Sequence, residues 1–302
     1  MRIFVTGASG WLGSALVPDL LEAGHEVTGL ARSDASAAAI SGAGAGVVRG
    51  TIDDLDLLGT AAAASDGVVH LAFRHDIAFT GDFAGAARAD RLAVDTLVDA
   101  LAGSGRPLVV AGGFMGFETG RTATERDIPT TDGSAMSERT VTGAAVLDAA
   151  ARGVRSSLVR LAPTCHGDGD AGFMASLVAL ARATGVSGYL GDGANRWPAV
   201  HRLDAARLFR LAVERAPAGT ALHGVADEGV EIRAVAEVIG RHLDVPTASV
   251  TPEDAPAHFT WLAGLIGRDL PASSALTREL LDWRPLRPGL LEDLEKGHYF
   301  RT

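Results

Sequence analysis

Lysine is almost missing from this sequence: Lys296, close to the C-terminus, is the only one in 302 residues. Tyrosine is nearly as scarce, with Tyr189 and Tyr299 alone. Chemistry that needs a phenol beside an ammonium group therefore has very few positions to draw on. Cysteine occurs once, at Cys165, which excludes an internal disulfide and agrees with a reducing, cytoplasmic setting. No run approaches the roughly 18 apolar residues of a membrane span, and the first apolar strand begins at residue 2, which argues against a secretory leader. Positive charge is also in deficit. With 27 Lys and Arg against 37 Asp and Glu the net charge is −10, which disfavours nucleic acid or an anionic membrane as the main partner. The nine histidines are scattered without metal-ligand spacing.

What is present describes a globular chain, 47% hydrophobic and 21% charged, long enough for a nucleotide-binding domain and a smaller partner. Its organising stretch is the first thirteen residues. The apolar run Arg2-Ile3-Phe4-Val5 leads into Thr6-Gly7-Ala8-Ser9-Gly10-Trp11-Leu12-Gly13, and an apolar-periodic stretch follows from Ala15 to Leu21. Strand, glycine-rich turn and helix in that order aim backbone N–H groups and a helix dipole at a pyrophosphate. Gly7, Gly10 and Gly13 are spaced GxxGxxG, one residue longer at the front than the GxGxxG fingerprint.

The second strand, Glu26 to Leu30, ends in Ala31-Arg32-Ser33, with no carboxylate before Asp34. An acidic tip there accepts from a ribose 2′-OH, whereas arginine accommodates a 2′-phosphate. Arg32 and Ser33 thus predict NADP. Further strands are expected at 47–52, 67–73, 107–111 and 154–161, with helices at 55–64, 82–102 and 134–152 between them. This βα rhythm predicts an α/β fold, a doubly wound parallel Rossmann sheet over residues 1–162. Beyond it, helices are expected at 173–184, 201–216 and 231–243 and a strand at 221–225. A proline-punctuated tail follows, so residues 163–302 read as a smaller C-terminal capping domain over the substrate, with parts of 200–226 returning to the sheet.

Thr6-Gly-x-x-Gly-x-x-Gly13, Val69-His70-Leu71-Ala72, Val159-Arg160-Leu161-x-Pro163 and Gly191-Asp192-Gly193…Val200-His201-x-x-Asp204 resemble the extended short-chain dehydrogenase/reductase family of NAD(P)-dependent epimerases and dehydratases. The resemblance implies a dinucleotide lying across the strand ends. Ser9, Gly10, Trp11 and Leu12 would meet the pyrophosphate, and Thr51 and Ile52 the adenine. Leu71, Ala72 and Phe73 would follow ribose and phosphates, with Pro163 and Thr164 against the nicotinamide. The family works through Tyr-x-x-x-Lys, a Ser or Thr after strand five and an Asn on the preceding helix. Counted back from Arg160, those positions hold Ala135 and Arg139, Gly112 or Gly113, and Asp90. The sequence therefore resembles the atypical branch, in which the glycine motif survives and the tetrad does not.

Three residues remain as candidates for chemistry. Arg139 keeps a cation for the ribose hydroxyls but cannot give up a proton. Asp90 either orients water or substrate or pairs with Arg88 or Arg91. His166, after Pro163-Thr164-Cys165, is either an acid beside the nicotinamide or a turn histidine bonded to backbone. Phe114, Met115, Phe173, Tyr189 and Trp197 are expected around the substrate. The leading functional expectation is an NADPH-dependent reductase of a small pre-activated acceptor: an imine or iminium, a quinone or a conjugated carbonyl. Without the tyrosine, a plain ketone lacks its proton donor, and Asp90 would favour the cationic case. A non-catalytic NADP-binding sensor is the second reading, and a sugar epimerase or dehydratase the third. A homodimer is expected through the helices 82–102 and 134–152, by way of Val94, Leu97, Val98, Leu101, Val141, Ala145 and Leu147.

Overall fold

The computed structural model describes residues 1–78, 80–114, 116–134 and 137–301. The first half alternates strand and helix: β1 (Arg2–Thr6), α1 (Gly13–Glu22), β2 (Glu26–Ala31), α2 (Asp34–Gly42), β3 (Gly46–Arg49), α3 (Leu55–Ala63), β4 (Gly67–His70), α4 (His75–Ala78), α5 (Phe83–Leu101), β5 (Pro107–Gly113), α6 (Glu138–Asp148) and β6 (Arg155–Leu161). Ile3, Phe4 and Val5, like Val68 and Val69, are covered on both faces, the signature of strands inside a parallel sheet. The seven strands run in the order β3-β2-β1-β4-β5-β6-β10, all parallel, the last being Thr220–Gly224. Strand order reverses between β1 and β4. Open α/β sheets bind ligands at the carboxyl ends of the strands at such a point.

On one face lies α1, in a core with Leu16, Leu20, Leu208, Leu211 and Trp283. On the other lie α3, α5 and α6, around Leu58, Leu97, Leu101 and Val146. Helix α5 buries Ala86, Asp90, Ala93, Val94, Leu97, Val98 and Leu101, a three-and-four spacing that lays one stripe against the sheet. Here the expected dimer face needs correction. Val94, Leu97, Val98 and Leu101 are spent on the chain's own core, and the outward apolar groups of this helix pair are Leu92 and Val141.

The second half contains β7 (Thr164–His166), α7 (Phe173–Thr184), β8 (Ser187–Leu190), β9 (Arg196–His201), α8 (Arg202–Arg215), β10, β11 (Asp227–Glu231), α9 (Ile232–Leu243) and β12 (Thr247–Val250). The short helices α10 (Ala255–Phe259), α11 (Ala263–Ile266), α12 (Ala275–Leu281) and α13 (Leu290–Glu295) complete it. β7, β9 and β11 form one small sheet, and β8 pairs with β12 in another. Their core gathers Met174, Leu177, Ile239, Phe259 and Leu262 around Trp197. Helix α8 and β10 instead join the large sheet's core.

Boundaries shift from the sequence reading where caps and turns intervene. β3 stops at Arg49 rather than 52, because Asp54 folds back to take the Thr51 N–H at 2.7 Å. β4 stops at His70, since Thr6 captures the next amides. The helix expected over 134–152 runs as α6 and closes in a 3-10 turn over Ala149–Arg152.

Candidate functional site

The turn between β1 and α1 is built for close approach. Gly7 has φ +69°, and a Cβ there would sit 2.9 Å from the Ala72 nitrogen. A Cβ on Gly13 would lie 2.1 Å from the Gly7 carbonyl oxygen, so the helix can start against the turn only with glycine at that place. Gly10 donates its N–H to Gly7 O at 3.0 Å, and α1 begins at Gly13, two residues earlier than its apolar periodicity suggests. The cradle is thus bare backbone at the switch point of the sheet, and Ser9, Trp11 and Leu12 lie on it. That arrangement fits a dinucleotide pyrophosphate.

Beneath the cradle runs a buried polar chain. Thr6 Oγ1 lies 2.8 Å from His70 Nδ1 and accepts the Ala72 N–H at 3.2 Å, while Thr6 O accepts the Leu71 N–H. His70 Nε2 lies 3.3 Å from Asp90 Oδ1. Both side chains are almost wholly buried. Asp90 therefore does not face a substrate, and its partner is neither Arg88 nor Arg91: Arg91 pairs with Asp95. Its task is to hold β4 and the loop Leu71-Ala72-Phe73 against α5.

At the adenosine end, Ser33 caps α2 by accepting the Ser36 N–H at 3.2 Å. Arg32 is exposed and reaches Asp76 at 3.2 Å. Arg49, missed in the sequence, donates to Ser33 O at 2.7 Å and pairs with Asp34. Arg49 thus contacts Ser33 directly, while the guanidinium of the adjacent Arg32 is turned to Asp76. The signal for Arg49 was a single basic residue ending the apolar pair Val47-Val48. Thr51 is held by Asp54, while Ile52 is buried in the core. Asp53 and Asp76 tie Arg74 down across the same end, which holds the Arg74 guanidinium above its ordinary pKa and Asp76 below its own.

Where the nicotinamide is expected, the guanidinium of Arg139 lies 4.1 Å over the Phe73 ring and donates to Ala111 O at 2.9 Å. It makes no ion pair among the described residues. Ala135, which the count from Arg160 puts at the tyrosine position, and Met115, expected near the substrate, lie outside the described residues. Thr164 is buried with its hydroxyl unpartnered, an orphan group that suits a cofactor amide. Pro163 precedes it, half-buried.

His166 is corrected from candidate acid to buried structural group. It has no exposure, and its Nδ1 lies 2.9 Å from Asp293 Oδ2. Its ring stands edge-on to His201 at 5.3 Å. Burial pushes His201 down to about 4, and Asp293, held by His166, lies below the carboxylate range. Tyr299 donates to Asp170 at 2.9 Å, and burial raises both groups. Cys165 sits beside Trp11, whose Nε1 donates to the Cys165 carbonyl at 2.9 Å, and burial pushes its thiol up to about 12.

The aromatic residues expected around the substrate are dispersed. Trp197 is fully buried, its Nε1 bonded to Arg268 O at 3.0 Å. Phe173 packs on it at 5.6 Å, and Tyr189 lies on β8 beneath Arg233. Phe114 is buried against Phe117 and His223. The open volume lies elsewhere: a cavity of about 230 Å³ at the ends of β5 and β6, lined by Gly112, Gly113, Arg139, Leu158 and Arg160 among others.

A parallel sheet reversing at a glycine turn defines a Rossmann-type fold. The model of the NAD dependent epimerase/dehydratase family matches residues 3–223, and the chain belongs to that family. An uncharacterized protein of Schizosaccharomyces pombe is 42% identical over 302 residues, covering 99% of this chain and 100% of its own. Another from Saccharomyces cerevisiae is 41% identical over 300 residues, 99% of each chain. Among solved structures, UDP-glucose 4-epimerase from Thermotoga maritima superposes with a TM-score of 0.78 at 18% identity, over 99% of this chain and 98% of that one. DesIV, a dTDP-glucose 4,6-dehydratase from Streptomyces venezuelae solved with NAD, gives 0.77 at 20%, over 99% and 96%. These two establish the shared fold.

Proposed function

We propose that this protein is an NADPH-dependent oxidoreductase that reduces a small, pre-activated acceptor. The observation that carries the reading is the Arg139 guanidinium, without an ion pair among the described residues, at the head of α6, where the count from Arg160 puts the family's lysine. A bound NADPH supplies the hydride. The backbone of Gly7 to Gly13 would hold its pyrophosphate, Arg32, Ser33 and Arg49 the 2′-phosphate, and Pro163 and Thr164 its nicotinamide.

Arg139 supplies charge rather than a proton. A guanidinium stays protonated at any working pH, so it stabilises an anion growing on the acceptor without acting as general acid. Quinones and conjugated carbonyls suit this, because they spread the developing charge and take their proton later from water. An iminium does not. Asp90, which would have favoured a cation, is sequestered by His70, and the groups at the cavity are positive. The cationic acceptor is therefore the least favoured of the three. A homodimer through α5 and α6 stays within the proposal and rests on Leu92 and Val141. No helix among the described residues is long and apolar enough to cross a membrane, and a cytoplasmic location is proposed with it.

The direct test of Arg139 is its replacement by leucine. Losing one preorganised donor to a developing anion costs about 10²–10³ in turnover. An unchanged kcat with a quinone in R139L would remove Arg139 from the mechanism.

A further inference from the structure

Arg160 is a charge inside a sheet. It lies on β6 with about 4% of its surface exposed, between Val159 and Leu161. Its Nη1 donates to the carbonyls of Asp127 at 3.2 Å and Glu125 at 3.5 Å, and lies 3.3 Å from His223 Nε2. The guanidinium rests on the Phe117 ring at 5.0 Å. None of these partners carries a compensating charge at contact distance. The Asp127 carboxylate is engaged by Arg121, and Glu125 Oε1 takes both the amide and the hydroxyl of Thr277 at 2.7 Å, while Glu125 Oε2 is buried without a hydrogen-bond partner and outside ion-pair distance of Arg160. Among the described residues Arg160 has no ion pair, and its Nε and Nη2 have no hydrogen-bond acceptor. Burial lowers its pKa despite the more distant pull of Asp127 and Glu125. Buried charges are normally paired, so the missing partner calls for an explanation.

Arg160 also lines the 230 Å³ cavity, as does Arg139, the other guanidinium there with no ion pair. Between them the walls are mostly apolar or bare, with Gly113, Ala144, Leu147 and Leu158, and Thr131 and Thr140 add two polar residues to the lining. The cavity is smaller than the roughly 300–1,000 Å³ of drug-sized pockets, so its occupant is one ring or a short chain.

We propose that this cavity binds the carboxylate of a small, apolar acid, paired with Arg160, and that a separate conjugated carbonyl of the same acid is the acceptor: hydride from NADPH adds to the conjugated carbon, the π pair moves onto the carbonyl oxygen, and water supplies the proton. Planar fork-shaped donors match a carboxylate in two parallel bonds, and a largely apolar wall strengthens them. The site assignment stands on the cavity and the unpaired guanidinium. Calling the acid the acceptor rests on the reductase reading above.

The test is calorimetry with trans-cinnamate and its neutral isostere cinnamamide, on protein saturated with NADP⁺, whose own binding is measured in the same samples. The acid is expected to bind at least about tenfold more tightly than the amide, the range for a hydrogen bond to a charged group. Arg160→Met should abolish the difference and Arg160→Lys restore part of it. Because Arg160 also anchors a loop, Gly113→Leu is the independent arm: Gly113 lines the cavity and a Cβ there meets nothing within 4 Å, so a leucine can enter that space without a clash at its Cβ. It should weaken cinnamate at least tenfold and leave NADP⁺ unaffected. Equal binding of acid and amide, no binding of either, or full affinity in Gly113→Leu overturns the site. Loss of NADP⁺ binding by the wild type would instead overturn the reductase reading.

Discussion

His70 Nε2 stands 3.3 Å from Asp90 Oδ1, and with Thr6 on the other side of the imidazole the three span β1, β4 and α5 under the glycine turn. This pair decides what Asp90 does. Replacing it with alanine leaves a buried imidazole without its hydrogen-bond partner, and leaving a buried polar group unsatisfied costs about 1–3 kcal/mol. Asp90→Asn keeps an acceptor oxygen and should cost clearly less. Urea denaturation of the two variants orders them; equal stability of wild type and Asp90→Ala would contradict the placement.

The glycine cradle gives a contrast between two substitutions. Gly13→Ala drives a methyl to 2.1 Å from Gly7 O and should abolish dinucleotide binding or unseat α1. Gly42→Ala, at the last turn of α2, meets no atom within 4 Å. It should be neutral or stabilising by up to about 1 kcal/mol, the helix preference of alanine over glycine. Thermal melting with and without NADPH separates the two, and a silent Gly13→Ala would refute the cradle.

Cofactor preference should follow the two arginines around Ser33. NADPH is expected to bind more tightly than NADH by roughly 1.5–3 kcal/mol. Arg32→Ala and Arg49→Ala should each remove part of that margin and leave NADH unaffected. Equal affinity of the wild type for both cofactors, by calorimetry, would count against the 2′-phosphate reading.

Acid stability depends in part on His201, which burial pushes down to about 4, and in part on His223. Burial against Arg160 pushes its pKa down to about 4, and its Nδ1 bonds Ser273 O at 2.7 Å. A histidine that is neutral when folded takes up its proton on unfolding. Its contribution is therefore complete above the ordinary value of about 6.5 and is lost as pH falls towards 4. The melting temperature should decline through that window, and less steeply in His223→Gln. Identical pH profiles would show that the imidazole is not the group responsible.

The parts of this account that were legible in the sequence are those governed by local spacing. The glycine turn and the buried runs of β1, β4 and β6 follow from residues a few positions apart. What was hidden depends on partners far along the chain. Asp90 meets a histidine 20 residues upstream, and His166 meets Asp293 across 127. Aromatic content did not show direction: Trp197 lies in β9, where four consecutive residues are buried, so alternation assigns it no face. The short strands β8 and β12 carry too few residues for a period to emerge. Arg160 was visible as a charge within an apolar strand, yet nothing local showed that it would lack an ionic partner.

The most direct measurement is NADPH oxidation by the purified protein across a panel of acceptors: a quinone, conjugated enones, cyclic imines and simple unconjugated ketones. Hydride acceptors that spread their own negative charge should turn over fastest, and simple ketones slower by about 10²–10⁴, the worth of the missing general acid. Faster turnover of unconjugated ketones would contradict the account, and so would NADPH binding with no oxidation by any acceptor, the behaviour of a sensor.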